Sequence, residues 1–165
     1  MFDLLIYWQH RVFHEVPLLW RLHKVHHTDL EMETTTALRF HPLEIALSLG
    51  IKMIAIVLIG PPAIAVVVFE ILLNANAMVH HSNFTLPKPV DAILNKLIIT
   101  QTQHYVHHSE VVSETNSNYG FFLSVWDYIF RTRKTKDLKQ VKFGLKEYQK
   151  ELSLKQTLIL PFENN

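Results

Sequence analysis

The sequence predicts an all-α integral membrane protein with a transmembrane hairpin and a histidine-rich helical cap that faces the cytosol. Two observations indicate this fold class. A nearly continuous apolar segment runs from about residue 43 to residue 79, and the 11 histidines of the 165-residue chain all lie outside it. The chain contains no cysteine, which excludes disulfides and cysteine-ligated metal sites.

The apolar segment is too long for one membrane helix, which needs about 20 residues. The sequence "GPP" at residues 60–62 divides it into arms at 43–59 and 61–78. Proline is tolerated in the first turn of a helix, so a second helix is predicted to begin there. A buried hairpin in a soluble protein is the alternative, but a chain of 165 residues has too little other structure to cover two such helices.

Two charged residues, Lys52 and Glu70, interrupt the arms. Each lies nine residues from Pro61, which places both about 13 Å from the turn at 1.5 Å per residue. That depth is near the middle of a bilayer, where an unpaired charge costs several kcal/mol. We therefore expect a contact between Lys52 and Glu70 that fixes the hairpin. The alternative is that each side chain faces a protein or aqueous cavity.

The flanks of the hairpin are predicted to lie on the same side of the membrane, because two crossings return the chain to its starting side. The strongly basic segment 131–146 favours the cytoplasmic side, so the histidines are predicted to face the cytoplasm. The net charge is only +1, which gives no electrostatic basis for a nucleic-acid partner.

Shorter elements are predicted in both flanks. Residues 2–8 are apolar but too short to span a bilayer, and they lack the features of a signal peptide. We interpret them as the last turns of a longer helix, with an N-terminal part missing. Residues 90–100 have the spacing of a helix in the membrane interface, residues 113–120 are rich in turn formers, and 148–162 favour a final amphipathic helix.

The candidate metal ligands are histidines in four short groups. Three groups read "HRVFH", "HKVHH" and "HYVHH", and the fourth is a histidine pair at the end of the second arm. The nine candidates are His10, His14, His23, His26, His27, His81, His104, His107 and His108, with His80 and His41 as further candidates. Residues three and four apart share a helix face, so each His-x-x-His-His motif is predicted to converge on one point.

Imidazole nitrogen suits zinc, iron, copper and nickel. Nine ligands are more than one ion accepts, so the sequence predicts two metals shared by the four groups. A histidine ligand usually donates its other N–H to a carboxylate or carbonyl. The acids and amides near the motifs are candidates for this role: Asn118, Glu114 and Asp29, together with Glu15, Glu33, Glu110 and Asn116.

With these residues in view, the sequence resembles the fatty acid hydroxylase superfamily, also called the sterol desaturase family, from about residue 3 to residue 132. The matching stretches occur in the same order as in the family: "YWQHRVFH", "LWRLHKVHHTDLEMETTTALRFHPLEI", "HSN", "HYVHHS" and "ETNSNYGFFLSVWD". The nine candidate ligands match the family's histidine motifs, and His41 in "TALRFHPLE" also matches a motif position. His80 has no required counterpart, and "RTR" at 131–133 stands where the family usually has Gly-Thr.

The resemblance implies a domain over residues 1–132, followed by a basic C-terminal tail over 133–165. It also implies that the chain is N-terminally short, because the family's upstream membrane helices are absent. Family members hold a non-haem centre of two iron ions, which zinc can replace in isolated protein. They use O₂ to hydroxylate or desaturate a C–H bond of a lipid.

For this chain the resemblance implies an acyl, sterol or isoprenoid lipid substrate. A separate electron donor is expected, because the sequence has no dinucleotide-binding fingerprint. Phe121, Phe122 and Trp126 are predicted either to line the lipid's access path or to anchor the protein at the interface.

Three alternatives stay open. A non-enzymatic metal-binding or metal-transport protein would need more polar residues in the arms. A zinc hydrolase would need fewer ligands. The third alternative is an inactive, truncated family member.

Overall fold

The computed structural model describes residues 1–163, and the regular elements in that range are helices. The nine α-helices within residues 1–163 are α1 (Phe2–Glu15), α2 (Pro17–His23), α3 (Pro42–Ile59), α4 (Ala63–His81), α5 (Lys88–Leu94), α6 (Gln101–His107), α7 (Val112–Thr115), α8 (Val125–Ile129) and α9 (Leu154–Ile159). Short 3₁₀ helices cover His26–Thr28, Thr34–Leu38, Leu138–Gln140 and Leu160–Phe162. Extended pairing in the described range is limited to isolated bridges. The predicted all-α fold with an apolar hairpin is confirmed.

Helices α3 and α4 form the two arms, and their ends follow from the sequence. Pro42 occupies the first turn of α3, where its missing N–H costs nothing. Gly60 ends α3 in the left-handed conformation, with φ of 63°, which glycine adopts without strain. At 18 and 19 residues, both helices are long and apolar enough to cross a membrane. Most of each helix is exposed on the protein's surface, as expected of a surface that faces lipid.

The predicted contact between Lys52 and Glu70 is confirmed. The Lys52 Nζ atom donates to both carboxylate oxygens of Glu70, at 2.8 and 2.9 Å. Asn74, one turn further along α4, donates its amide to the backbone carbonyl of Glu70. Since the ion pair joins side chains of different arms, it fixes their rotation and register.

The cap is assembled around α1, which packs against α2, while α4 packs against Thr34–Leu38 and α6. The Asp3 carboxylate accepts hydrogen bonds from the backbone N–H groups of Phe122 and Leu123 and from the indole of Trp126. These bonds tie the beginning of the chain to the segment before α8. The first histidine motif is thereby held beside residues more than 100 positions away.

Two predicted helices differ from the structure. Residues 90–100 do not form one helix, because α5 ends at Leu94 and Ile98 pairs with Leu123 in an isolated bridge. The backbone N–H of Ile99 donates to the Phe122 carbonyl, so tertiary hydrogen bonds replace the helical ones. The segment 148–162 is helical only over α9 and Leu160–Phe162.

The ion pair between the arms gives a stability prediction. Replacing Lys52 with Met leaves Glu70 without its cation, so we expect Lys52→Met to lower the free energy of unfolding by about 2–4 kcal/mol. The exchange Lys52→Glu/Glu70→Lys keeps one charge of each sign and is expected to recover most of that loss. Thermal unfolding of the detergent-solubilised protein measures both. Equal midpoints for the single and exchanged variants would contradict a stabilising pair.

Candidate metal centre

Nine buried histidine rings form two groups that lie side by side. The group of five contains His10, His14, His23, His27 and His107. The group of four contains His26, His81, His104 and His108. Within each group, one ring nitrogen per residue lies within 4.8 Å of all the others, and no ring is more than 6% exposed. The structure therefore brings together all nine histidines that the sequence singled out.

Each His-x-x-His-His motif contributes to both groups. His23 and His27 belong to the group of five, whereas His26 belongs to the group of four. The second motif has the reverse pattern, with His107 in the group of five. The prediction that each motif converges on one point is therefore wrong.

The geometry of a helix turn explains this division. On a helix, the residues at i+3 and i+4 lie on opposite sides of residue i, about 100° apart. The first motif also leaves the α-helix after His23 and continues as the 3₁₀ turn His26–Thr28. Each motif thus connects the two groups and keeps them adjacent. The rings of His27 and His108, which belong to different groups, stack with their centroids 4.4 Å apart.

Backbone carbonyls orient two rings of the group of five. The Nδ1 atom of His10 donates to the Tyr119 carbonyl at 2.9 Å, and that of His107 donates to the Ser117 carbonyl at 2.7 Å. In a neutral ring, a proton on Nδ1 leaves a lone pair on Nε2. Within residues 1–163, the Nε2 atoms of both rings are buried and have no hydrogen-bond partner. Both rings thus present a free lone pair inside the group.

Side chains orient two further rings of this group. The Nδ1 atom of His23 donates to the Glu44 carboxylate at 2.6 Å, and that of His14 donates to the amide oxygen of Asn116 at 3.3 Å. Their Nε2 atoms are also buried without a hydrogen-bond partner in the described part of the chain. A proton on the outer nitrogen and a lone pair on the inner one is the usual arrangement of a histidine that binds a metal.

The group of four presents its nitrogens at closer range. The Nε2 atom of His81 lies 3.1 Å from that of His26 and 2.8 Å from that of His104. His81 and His26 donate their Nδ1 protons to the carbonyls of Ala77 and Arg39. In the neutral rings, their Nε2 atoms therefore carry lone pairs that face each other and would repel. A cation bound between them would remove that repulsion.

Burial favours the neutral form of several of these rings. Loss of hydration lowers the pKa of His107 to about 3. The pKa values of His10, His14, His104 and His108 also lie well below their usual range. Burial is the largest cause, and the neighbouring histidine rings lower these pKa values further. Neutral imidazole is the form that offers a lone pair to a metal.

The remaining two histidines lie outside both groups. His80 is fully buried, with its ring centroid 4.0 Å from that of His104, and its Nδ1 atom accepts from the Asn76 amide. His41 caps α3, because its Nδ1 atom accepts from the backbone N–H of Leu43. The Nε2 atom of His41 donates to the Leu158 carbonyl, so both of its ring nitrogens are already bonded.

The groups that orient the rings are only partly those that the sequence suggested. Asn116 bonds His14 directly. Asn118 instead donates its side-chain amide to the carbonyls of Gln103 and Lys134. Its backbone is left-handed, with a φ of 51°. It lies between the two residues whose carbonyls accept from His107 and His10. It thus acts on the rings through the backbone.

The other suggested acids make different contacts. Asp29 pairs with Arg39, whose carbonyl accepts from His26. Glu114 bonds Ser109 and Lys136. Glu15 pairs with Arg11 on the outer face of α1, and Glu33 caps the 3₁₀ helix Thr34–Leu38. The backbone N–H of Glu110 donates to the backbone carbonyl of Lys142.

Sequence reasoning missed Glu44, the carboxylate that bonds His23. The only local signal was an acid in the first turn of a helix that is otherwise apolar. Charged residues in such segments are rare and usually functional.

Two cavities reach the group of five from different directions. One has a volume of about 690 Å³ and is lined by His14, Trp20 and charged residues of the cap, including Lys24. The other has a volume of about 140 Å³ and lies between α1 and the two arms, with His10 and His23 in its wall. Neither cavity is lined by a member of the group of four.

The loop that carries the two carbonyl acceptors is held by Asp127. Its carboxylate accepts from the backbone N–H groups of Tyr119 and Gly120, each at 2.8 Å. A Cβ atom at Gly120 would lie 2.7 Å from the Asp127 carboxylate and 2.7 Å from the Ile99 side chain. Only glycine therefore allows this loop to approach so closely.

We expect Gly120→Ala to displace the loop that holds the His10 ring. The overlap is expected to lower the free energy of unfolding by about 1–3 kcal/mol and to reduce the metal retained on purification. Gly50→Ala is the matched control, because a Cβ atom there meets nothing within 4 Å. Thermal unfolding and elemental analysis provide the two measurements. Equal results for the two variants would contradict the assigned role of the loop.

Comparison with known proteins identifies the family of this chain. The sequence profile of the fatty acid hydroxylase family, described as "Fatty acid hydroxylase", matches residues 1–132. The human alkylglycerol monooxygenase is 33% identical over 139 residues, which cover 84% of this chain and 30% of that protein. The ornithine lipid hydroxylase OlsE of Rhizobium tropici is 30% identical over 128 residues, or 77% of this chain and 38% of that protein.

A plant relative, Protein CER1-like 2 of Arabidopsis thaliana, is 27% identical over 139 residues, or 79% of this chain and 22% of its own length. No solved structure gives a significant match. The chain spans about a third of the length of the first two relatives. The profile match covers most of the chain, and the chain therefore belongs to the fatty acid hydroxylase family.

Proposed function

We propose that this protein is a membrane-bound non-haem di-iron oxidoreductase that uses O₂ to hydroxylate a C–H bond of a lipid. The observation that carries the proposal is the pair of adjoining histidine groups at the ends of two apolar arms. The groups offer five and four ring nitrogens, which is a donor set that fits two transition-metal ions. All nine clustered histidines are proposed as ligands.

Two iron ions bound there would supply the redox chemistry that activates O₂ towards a C–H bond. Zinc fits the same nitrogen donors and is expected to replace iron in some preparations. The protein's own contribution is to hold the rings neutral, to fix their orientation and to exclude water. Glu44 and the carbonyls of Ser117 and Tyr119 set the orientation.

The 140 Å³ cavity is the proposed place where the lipid approaches the metals. It lies between the arms and α1, and its wall includes His10, His23 and Phe121. A lipid chain in the bilayer would reach it without crossing water. Phe122 lines a separate apolar cavity against α4, and Trp126 bonds Asp3, so of these three aromatics Phe121 is the proposed lining residue.

The substrate is proposed to be a lipid with a polar head group. The names of two relatives specify an alkylglycerol and an ornithine lipid. The apolar part of this lipid is proposed to be an acyl, sterol or isoprenoid chain. The electrons are proposed to come from a separate donor protein. The histidines are proposed to face the cytoplasm, on the side of the basic segment 131–146.

The proposal predicts which histidines are needed for metal binding. His23→Ala and His107→Ala each remove a nitrogen from the group of five, so both are expected to lose bound metal and to reduce lipid turnover at least 100-fold. His41→Ala is the control, because both ring nitrogens of His41 already have protein partners. Elemental analysis of the purified protein and a lipid assay with O₂ and a reductant test this. Full turnover in either His23→Ala or His107→Ala would overturn the proposal.

Isotope labelling distinguishes hydroxylation from the alternatives. With ¹⁸O₂, a hydroxylated lipid is expected to gain one labelled oxygen atom, which mass spectrometry detects. Loss of two hydrogen atoms without label would indicate desaturation instead. Label that enters only from H₂¹⁸O would indicate a hydrolase, and an unchanged lipid panel with metal bound would indicate a metal-binding protein without this activity.

A further inference from the structure

A polar stripe runs along one face of α3, inside an otherwise apolar arm. Glu44, Ser48 and Lys52 are spaced four residues apart and therefore share a helix face. All three line the 140 Å³ cavity. The stripe extends about 12 Å at 1.5 Å per residue, from the carboxylate that bonds His23 to the ion pair with Glu70.

The cavity wall opposite this stripe also carries polar side chains. Gln9 of α1 donates its side-chain amide to the Ser48 hydroxyl. Glu70 and Asn74 of α4 lie beyond it, and both line the same cavity. Three helices thus direct polar side chains into one small space that adjoins the metal centre.

Two oxygen atoms in this wall have no hydrogen-bond partner within the described residues. They are Oε1 of Gln9 and Oε2 of Glu44, and both are buried. A buried acceptor without a donor is unfavourable. The stripe also places polar groups in a membrane arm, where they are expensive and usually functional. The ion pair between Lys52 and Glu70 accounts for its deep end, but nothing in the fold accounts for the two acceptors.

We propose that this polar stripe is a subsite for the head group of the lipid, and that it selects lipids whose head group carries free hydroxyl groups. The inference rests on the proposed function and adds a substrate class to it. Gln9 and Glu44 accept hydrogen bonds from the hydroxyls, and Ser48 supports Gln9 from the opposite helix. The alkyl chain extends between the arms into the bilayer.

The size of the cavity supports a head group rather than a whole lipid. Its volume of 140 Å³ is well below the roughly 300–1,000 Å³ of pockets that enclose a drug-sized ligand, so it suits a group of a few carbon and oxygen atoms. Because His10 and His23 line the same space, the carbon presented to the metals lies close to the head group. Oxidation is therefore expected near the polar end of the lipid and not at its far methyl end.

The test uses two lipids that differ only in whether the head-group hydroxyls are free or methylated. The probes are 1-hexadecylglycerol and its 2,3-dimethyl ether, assayed with the full, metal-loaded chain in detergent. We measure kcat/KM for each lipid and, independently of turnover, the increase in thermal midpoint that each lipid produces. For the unchanged protein we expect kcat/KM for the diol to exceed that for the ether at least tenfold, with the larger thermal shift for the diol.

Gln9→Met removes one acceptor at similar volume and is expected to bring the ratio of the two kcat/KM values to within threefold of one. Ser48→Ala is a second variant with the same expected direction, should Gln9→Met fail to fold. Gln140→Met is the matched control, because Gln140 is exposed and lies outside the cavity. Metal content is measured for every variant. A preference that arose from the bulk of the methyl groups alone would persist in Gln9→Met and would overturn the subsite.

The outcomes separate the subsite from the proposed function. Equal thermal shifts and equal kcat/KM values for the two lipids in the unchanged protein would overturn the subsite, while oxidation of both lipids would leave the function standing. If neither lipid is oxidised, a thermal shift specific to the diol that disappears in Gln9→Met would support the subsite and count against the function.

Discussion

The structure depends on nine imidazole rings that are packed together away from water, six of which have a partner at Nδ1 and direct Nε2 into the cluster. Such an arrangement is unfavourable by itself, since nitrogens such as those of His81 and His26 face each other at 3.1 Å without a shared proton. A bound cation converts this repulsion into attraction. The outer nitrogens make the arrangement specific. When an outer Nδ1 atom donates to a fixed carbonyl or side chain, the surrounding protein sets the orientation of that ring and the position of its proton.

The segments that provide those outer partners are remote in sequence and are held by few interactions. Asp3 ties α1 to the segment before α8, and Asp127 holds the loop whose carbonyls accept from His10 and His107. Both carboxylates are buried and bond backbone N–H groups. Gly120 permits the close approach of that loop. The histidine groups are therefore supported by residues that supply no ligand themselves.

The hairpin contributes more than an anchor. Its lipid-facing surface is apolar, but its inner surface carries the polar stripe that leads from the ion pair of Lys52 and Glu70 towards His23. The same ion pair that sets the register of the arms therefore also lines the deep end of the cavity. Glu44 serves two regions at once, because one carboxylate oxygen orients His23 and the other is buried with no hydrogen-bond partner among residues 1–163. The membrane segment and the metal centre are thus one structural unit.

The sequence by itself determined the helical class, the hairpin with its break at residues 60–62, the ion pair and the nine histidines that meet. These features depend on local spacing and on the cost of charge in a membrane, both of which can be read from neighbouring residues. The tertiary structure alone decided how each His-x-x-His-His motif divides between two groups and that His41 caps a helix. It also decided that Glu44 and backbone carbonyls orient the rings. Spacing along one helix shows only that the rings at i+3 and i+4 point apart. Which ring joins which group, and which atoms remain to accept a proton, depends on where distant segments of the chain meet.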